Sequence, residues 1–198
     1  MLIISFPRSG QELISRLLYF LCLYYKKEYS YCDFYNCCKT LPCKKKFLYQ
    51  KFHDFNLNLG MPKNNKMIIL YRNNKINQLE SWFRLEFKTN NKNVEINYAN
   101  ETTFKNMIDF INDKSGYYDG FEKKYVTSNR FPNSLIIEYD HFMSYPKYYI
   151  KEIITYLNLN DNQPILDSDI EYIINNFEKI EYKNRISDDT YTKIMKYL

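Results

Sequence analysis

Short apolar runs alternate along the chain with longer segments that have helical periodicity. The runs are mostly bounded by polar or turn residues, which is typical of buried strands. They cover Leu2 to Phe6, Phe47 to Tyr49, Met67 to Tyr71 and Leu135 to Ile137. The pattern predicts a strand at each of these runs.

The longer segments carry apolar residues three and four positions apart, which is the spacing of one helix face. They are Gln11 to Tyr25, Asn74 to Phe87, Lys147 to Leu157 with Pro146 placed for its first turn, and a segment that begins near Ser168. At this last start, Ser168 and Glu171 match a capping box. Because strands alternate with helices, the sequence predicts an α/β fold in three layers, α/β/α, with a central and mainly parallel sheet.

Residues Lys88 to Asn100 interrupt this alternation. The segment is rich in Asn and Lys and has little periodicity. It predicts either a loop or a mobile cover over a site.

The composition fits one domain with a substantial core. The chain has 198 residues, of which 45% are hydrophobic and 18% aromatic, and we find no repeat and no domain linker. We therefore expect a single domain over residues 1–198. The formal charge of +5 is distributed among mixed signs, which argues against a nucleic-acid partner and suits an anionic ligand held in a cleft.

The start of the sequence lacks the features of a secretion signal. Its apolar run ends at Pro7 and follows no basic leader, whereas a signal peptide needs roughly 7 to 15 apolar residues. No apolar stretch approaches the roughly 20 residues of a membrane helix, since even Leu13 to Tyr25 is interrupted by Arg16. We expect a cytoplasmic or otherwise intracellular protein without a membrane span.

Four of the five cysteines lie close together, at Cys32, Cys37, Cys38 and Cys43. Such a group suggests either a metal site or a disulfide pair. However, no C-x-x-C pair occurs, and an odd total in a chain without a leader favours free thiols. We therefore expect no metal site here.

The first predicted strand leads directly into a helix through a short turn, Pro7-Arg8-Ser9-Gly10. Such a turn leaves backbone N–H groups pointing at one spot, where the helix dipole adds partial positive charge. Arg8 adds a cation and Ser9 a hydroxyl donor, so the turn predicts an anion site, with a plain structural connection as the alternative. The Walker A pattern is absent, since its second glycine and its lysine are missing, which argues against an ordinary ATPase or GTPase.

Residues 7–14, PRSGQELI, resemble the 5′-phosphosulfate loop of sulfotransferases that use 3′-phosphoadenosine 5′-phosphosulfate (PAPS), usually written P-[KR]-S-G-T-x-x-L. The resemblance implies a fold like that of P-loop NTPases. It also implies that the nucleotide contacts Pro7, Arg8, Ser9, Gly10, Gln11 and Glu12. Gln11 stands where threonine is common, so one family side-chain contact is replaced, while the backbone donors are unaffected.

Lys51-Phe52-His53-Asp54 follows the second apolar run, at the place where many sulfotransferases carry a K-T-H segment with the catalytic base. The resemblance implies that His53 is the base and that Lys51, with Arg8, stabilises the charge that develops during transfer. A neutral imidazole suits proton removal near neutral pH. A histidine that only packs or lies at the surface is the alternative.

Three later segments resemble the family in the same order. Arg72, at the end of the third run, and Ser81 are similar to the pair that binds the 3′-phosphate of PAPS, although the common spacing is one residue shorter. Residues 136–146 resemble a late strand, loop and helix of mainly structural role. Arg185 lies in a basic segment that resembles the part that closes over the nucleotide.

The resemblance implies transfer of a sulfuryl group from PAPS to an acceptor hydroxyl or amine by in-line displacement, with PAP as product and no metal required. We expect variable loops such as Lys88 to Asp119 to build the acceptor pocket, and a small molecule, a glycan, a lipid or a protein tyrosine all stay open as acceptors. One alternative is a kinase-like phosphotransferase that uses ATP. Another is a non-catalytic relative that binds a nucleotide or a glycan.

Overall fold

The computed structural model describes residues 1–62, 65–91 and 95–177. Five strands form one sheet: β1 is Leu2–Ser5, β2 is Tyr31–Asp33, β3 is Tyr49–Phe52, β4 is Met67–Tyr71 and β5 is Ser134–Glu138. Their order across the sheet is β2-β3-β1-β4-β5, and each of the four pairings is parallel. The prediction of a central parallel sheet is confirmed.

Six α-helices flank this sheet in the described part of the chain. They are α1 at Gln11–Tyr24, α2 at Lys75–Asn90, α3 at Glu101–Phe121, α4 at Tyr139–Ser144, α5 at Pro146–Leu157 and α6 at Asp167–Asn176. A 3₁₀ turn covers Phe34–Asn36, and a π-helical turn covers Glu122–Val126. None of the described helices combines the length and the apolar character needed to cross a membrane.

Two apolar clusters lie on opposite faces of the sheet. In β1, Leu2 and Ile4 belong to one cluster together with buried residues of α2 and α3. Ile3 belongs to the other cluster, with buried residues of α1, α5 and α6. Because side chains alternate between the faces of a strand, consecutive apolar residues supply both clusters. The three-layer α/β/α architecture predicted from the sequence follows from this burial.

Polar residues in buried strands account for the errors in strand prediction. β4 has the predicted bounds, but the run predicted at Phe47 to Tyr49 is displaced to Tyr49–Phe52. This strand contains Gln50, which is only 3% exposed and is buried because its amide is hydrogen-bonded. β2 is short and includes Asp33, so it carries no apolar run and was not predicted.

The segment after α2 is more ordered than the sequence suggests. α2 continues to Asn90, and α3 occupies residues that we had assigned to acceptor loops, so the loop prediction for Lys88 to Asp119 is wrong over Glu101 to Asp119. The start of α3 is fixed by the side chain of Asn100, which accepts a hydrogen bond from Thr103 N at 3.0 Å. The buried residues Phe104, Met107, Ile108 and Ile111 have the spacing of one helix face, so the sequence contained a signal for α3.

The last described helix begins slightly differently from the prediction. Ser168 is not its N-cap, because α6 already includes Asp167. Instead, the Asp169 carboxylate accepts a hydrogen bond from Leu166 N at 3.4 Å. Glu171 accepts one from Lys147 Nζ at 2.9 Å, which ties α6 to α5.

Candidate functional site

A pocket of about 430 Å³ lies where β1 and β3 end and α1 begins. In parallel sheets, ligands generally bind beyond the carboxyl ends of the strands. The lining residues are Pro7, Arg8, Gly10, Gln11, Glu12, Leu13, His53, Phe55, Trp82, Leu85 and Tyr139. The pocket therefore brings together the predicted anion turn and the predicted base.

The turn between β1 and α1 adopts a strained backbone. Arg8 has a φ of 66° and Gly10 a φ of 85°, both in the left-handed region that L side chains rarely adopt. Glycine takes this conformation without steric cost, whereas arginine does not. Six other described non-glycine residues also have a positive φ, so it is the position of Arg8 in the pocket, and not the strain alone, that makes it a candidate functional residue.

The lack of space beside residue 10 also requires a glycine there. A Cβ atom at this position would overlap the ring of Tyr139. The guanidinium carbon of Arg72 lies 5.2 Å from the centroid of the same ring. Tyr139 therefore connects the turn to the end of β4.

The N-terminus of α1 faces this turn. Gly10 is the N-cap and contributes no side-chain hydrogen bond, so the first N–H groups of the helix retain their capacity to bind an anion. Ser9 is 1% exposed, and its hydroxyl has no hydrogen-bond partner among the described residues. The buried side chain of Gln78 donates to Pro7 O and holds the turn in place.

His53 is oriented by β1. Its Nδ1 lies 2.8 Å from Ser5 O and 3.0 Å from Ser5 Oγ. A carbonyl oxygen can only accept, so Nδ1 carries the proton and Nε2 is the nitrogen with a free lone pair. The backbone of His53 is held as well, because Tyr35 OH donates to its carbonyl oxygen.

The environment of His53 favours the neutral imidazole. Burial lowers its pKa below the ordinary value, because desolvation disfavours the charged ring. The hydrogen bond to Ser5 opposes this shift but does not reverse it. At neutral pH the ring can therefore accept a proton at Nε2.

The cation of Arg8 is connected to α2. Its Nε donates to Ser81 Oγ at 3.4 Å, and Ser81 is 8% exposed. Arg8 and Ser81, which were both predicted to bind anionic groups of the nucleotide, are therefore in contact, although they lie 73 positions apart in the sequence. Arg8 itself is exposed and lines the pocket.

Arg72, beside this pocket, forms an ion pair with Asp140. Its Nε and Nη2 each donate to the carboxylate of Asp140 at 3.0 Å, and the residue is 5% exposed. Tyr118 OH donates to the Arg72 carbonyl at 2.5 Å. Arg72 is not among the lining residues, so it adjoins the pocket behind Tyr139 instead of facing it.

The remaining predicted residues have mixed positions. Gln11 and Glu12 both line the pocket. Gln11 donates to Phe52 O at 3.3 Å, while the exposed carboxylate of Glu12 is paired with Arg16 at 3.2 Å. Lys51 Nζ lies 3.8 Å from Asp33 and is not a lining residue. Arg185 lies outside the described residues.

A larger pocket, of about 770 Å³, lies elsewhere, between the turn after β3 and the C-terminal end of α3. Lys124 is one of its basic lining residues. The Lys124 amine already donates to Asp54 at 2.7 Å and to the carbonyls of Leu57 and Leu59 at 2.8 and 3.0 Å. All three of its N–H donors therefore have acceptors within the protein. The smaller pocket, with a helix N-terminus and a free imidazole nitrogen, is the better candidate site.

The crystal structure of mouse sulfotransferase SULT7A1 complexed with PAP is similar to this structure, with a TM-score of 0.55 and 16% sequence identity. The match covers 96% of this chain and 67% of that chain. This chain has the fold of a sulfotransferase. No protein-family model matches the sequence, and none of the curated proteins is similar enough to count as a relative.

Sequence reasoning missed the apolar half of the pocket. Phe55, Trp82 and Leu85 line it together with residues of the turn between β1 and α1, and the Phe55 ring lies 5.2 Å from the imidazole of His53. Phe55 and Leu85 are 44% and 46% exposed. Two signals were available, since Phe55 follows His53 closely and Trp82 is the chain's single tryptophan.

Proposed function

We propose that this protein is a sulfotransferase that transfers a sulfuryl group from PAPS to an acceptor hydroxyl or amine. One observation carries the proposal: a neutral histidine with a free Nε2 lines the same pocket as a strained, arginine-bearing turn at a helix N-terminus. A general base and an anion site in one pocket are the parts that group transfer requires.

The turn fits the charged end of the proposed nucleotide. The first N–H groups of α1 and the Arg8 guanidinium would hold the 5′-phosphosulfate, and the buried Ser9 hydroxyl has hydrogen-bonding capacity to spare. Gly10 allows the turn to pack against Tyr139, whose ring a Cβ atom would overlap. When bound, PAPS supplies the sulfuryl group.

The 3′-phosphate is proposed to lie near Ser81 and Arg72. Ser81 already contacts Arg8, which would place a hydroxyl donor beside the cation. The guanidinium of Arg72 is paired with Asp140 and lies over the ring of Tyr139, which lines the pocket. Arg72 is therefore proposed to act by positioning Tyr139. The assignment of Arg185 to closure over the nucleotide stays a prediction.

The proton leaves the acceptor through His53. Nε2 accepts it while Nδ1 donates to Ser5 O, so the positive charge that forms on the ring is shared with a backbone dipole. Removal of the proton makes the acceptor oxygen or nitrogen a better nucleophile. The Ser5 bond keeps the ring in one orientation throughout.

Arg8 and the N-terminus of α1 stabilise negative charge that grows during transfer. Both are fixed before reaction, Arg8 by Ser81 and the turn by Gln78, so little reorganisation is needed. Lys51, two residues before His53, is proposed to help stabilise this negative charge, although its amine is paired with Asp33 at 3.8 Å.

The acceptor is expected on the apolar side of the pocket. The rings of Phe55 and Trp82 lie with centroids 6.2 Å apart, and Phe55 is next to the proposed base. Such a wall favours an acceptor whose hydroxyl or amine is attached to an apolar or aromatic group.

The test is transfer of labelled sulfuryl from PAPS to a panel of a phenol, a hydroxylated lipid, a glycan and a tyrosine peptide. We expect turnover on at least one member, with the phenol and lipid preferred. Binding of PAPS without turnover on any of them would favour a non-catalytic relative. Transfer of phosphate from ATP to these acceptors would favour the kinase-like alternative.

A further inference from the structure

A cysteine cluster lies at the β2 edge of the sheet, away from the pocket described above. It consists of Cys32, Cys37, Cys38 and Cys43, whose Sγ atoms all lie within 4.8 Å of one another. Cys32 belongs to β2, and the other three belong to the connection from β2 to β3. Residues that follow one another over twelve positions thus converge on one point.

The spacing of the sulfur atoms fits a tetrahedral metal ion. Zinc bound to four thiolates has Zn–S bonds of about 2.3 Å, which places the sulfur atoms about 3.8 Å apart. The Sγ atoms of Cys32 and Cys38 are 3.7 Å apart. The remaining separations, up to 4.8 Å, need sub-ångström to ångström shifts of side chains in a solvent-exposed connection.

The chain reaches this arrangement by two local turns. The 3₁₀ turn at Phe34–Asn36 returns the chain after Cys32, and Lys39, with a φ of 52°, reverses it after Cys38. The resulting pattern, C-x₄-C-C-x₄-C, is symmetric along the sequence. It differs from the C-x₂-C spacing of common zinc sites, which explains why spacing alone argued against a metal.

Gln50 on β3 anchors the cysteine cluster to the sheet. Its Nε2 donates to Thr40 O at 2.8 Å and lies 3.7 Å from Cys38 Sγ, and its Oε1 accepts from Cys43 N at 2.8 Å. An amide that donates to a ligand sulfur is a common outer partner in metal sites. Gln50 is 3% exposed, and these side-chain hydrogen bonds all go to the β2–β3 connection. Gln50 therefore holds the connection against the sheet.

The connection has little else to stabilise it. Most of its side chains from Cys37 to Lys46 are exposed or half-buried, so it contributes little to either apolar cluster. The exposed Lys44, Lys45 and Lys46 would offset part of the negative charge of a zinc ion with four thiolates.

We propose that the cysteine cluster binds one zinc ion, which fixes the β2–β3 connection. Binding replaces the S–H protons of the thiols, which pass to solvent, and involves no change of oxidation state. The ion would also steady the proposed base, because Tyr35, within the enclosed loop, donates to the His53 carbonyl. The proposal itself rests on the cysteines and is independent of the activity assigned to the pocket.

The first test is metal analysis of the full chain, purified with reductant and without chelator. We expect about one zinc ion per chain, and at least about 100-fold weaker zinc binding in Cys38→Ser and Cys43→Ser. Cys22→Ser is the matched control, since Cys22 is a buried free cysteine in α1. It should keep its zinc, and an equal loss in all three variants would contradict the proposal.

A second measurement uses the unaltered chain, so that it does not depend on whether a variant folds. After chelation under reduction, Co²⁺ should give the visible absorption of tetrahedral thiolate coordination, and Zn²⁺ should displace it. A folded chain with five free thiols that binds neither ion would overturn the proposal. Iron in the purified chain would overturn the choice of zinc, and disulfides among these cysteines would overturn the site.

Discussion

At the residue scale, the proposed site depends on Arg8, whose backbone is held in a costly conformation. Arg8 has a left-handed backbone, which costs a non-glycine residue on the order of 1–3 kcal/mol. The strained conformation persists because hydrogen bonds with Gln78 and Ser81 hold the turn in place. We interpret the strain as the consequence of placing a guanidinium and a row of N–H groups around one anion.

Arg8→Gly separates strain from charge. Glycine removes the backbone strain, so we expect unchanged or higher stability, by up to about 1 kcal/mol in urea unfolding. Affinity for PAP should fall by about tenfold or more, because a cation is lost. Arg130→Gly, at an exposed position outside this pocket, should leave PAP affinity unchanged; an equal loss there would point to general electrostatics.

His53→Ala tests the base directly. We expect turnover to fall by about 100-fold or more, with PAP affinity nearly intact because His53 is not part of the anion turn. The chain's other histidine gives a control: the ring of His141 bonds to Tyr149 OH at 2.9 Å, away from the pocket. His141→Ala should keep full turnover, and activity retained in His53→Ala would remove His53 from the mechanism.

The pH profile tests the same residue in the intact chain. Because burial lowers the pKa of His53, kcat/KM should stay constant through pH 7 and decline only below about 6.5. An acidic midpoint above 7 would contradict the assigned environment. In this acidic range the unfolded chain holds a proton that the folded chain excludes, so His53 also lowers stability as the pH falls.

At the element scale, the site is assembled by contacts between segments distant in sequence. Tyr139, at the start of α4, packs against Gly10 at the start of α1 and lies under Arg72 at the end of β4. Asp140 then pairs with Arg72. One short helix therefore fixes the spacing between the anion turn and the neighbouring strand.

Gly10→Ala tests this packing. The new methyl would overlap the Tyr139 ring and occupy a left-handed position, so we expect a loss of about 2 kcal/mol in the free energy of unfolding. Gly116→Ala is the matched control, because it lies inside α3 with open space around it. It should raise stability by about 0.5–1 kcal/mol, and equal effects of the two changes would contradict the proposed contact.

Local pattern predicted some elements well and others poorly, for physical reasons. β4 was predicted with its bounds because MIILY is apolar and buried on both faces. β2 was missed because its burial depends on partners that a local window does not contain. α3 is different, because its buried Phe104, Met107 and Ile111 have helical spacing in the sequence, so a local window was sufficient to predict this helix.

At the scale of the whole molecule, a parallel sheet explains why part of the site was predictable. β1 and β3 are neighbours that end at the same edge, so residues just after them, Arg8 and His53, must lie near each other. Tyr139 and Trp82 could not be assigned, because their places depend on helix packing. The convergence of the four cysteines could not be predicted for the same reason, since it depends on turns that spacing does not reveal.

The central claim is that the pocket at the start of α1 holds a nucleotide with a 3′-phosphate. The most direct measurement is calorimetric titration of the chain with PAP and, separately, with ATP. Our account predicts that PAP binds at least about tenfold more tightly, and that Arg8→Gly weakens this binding. Equal or tighter binding of ATP would contradict it.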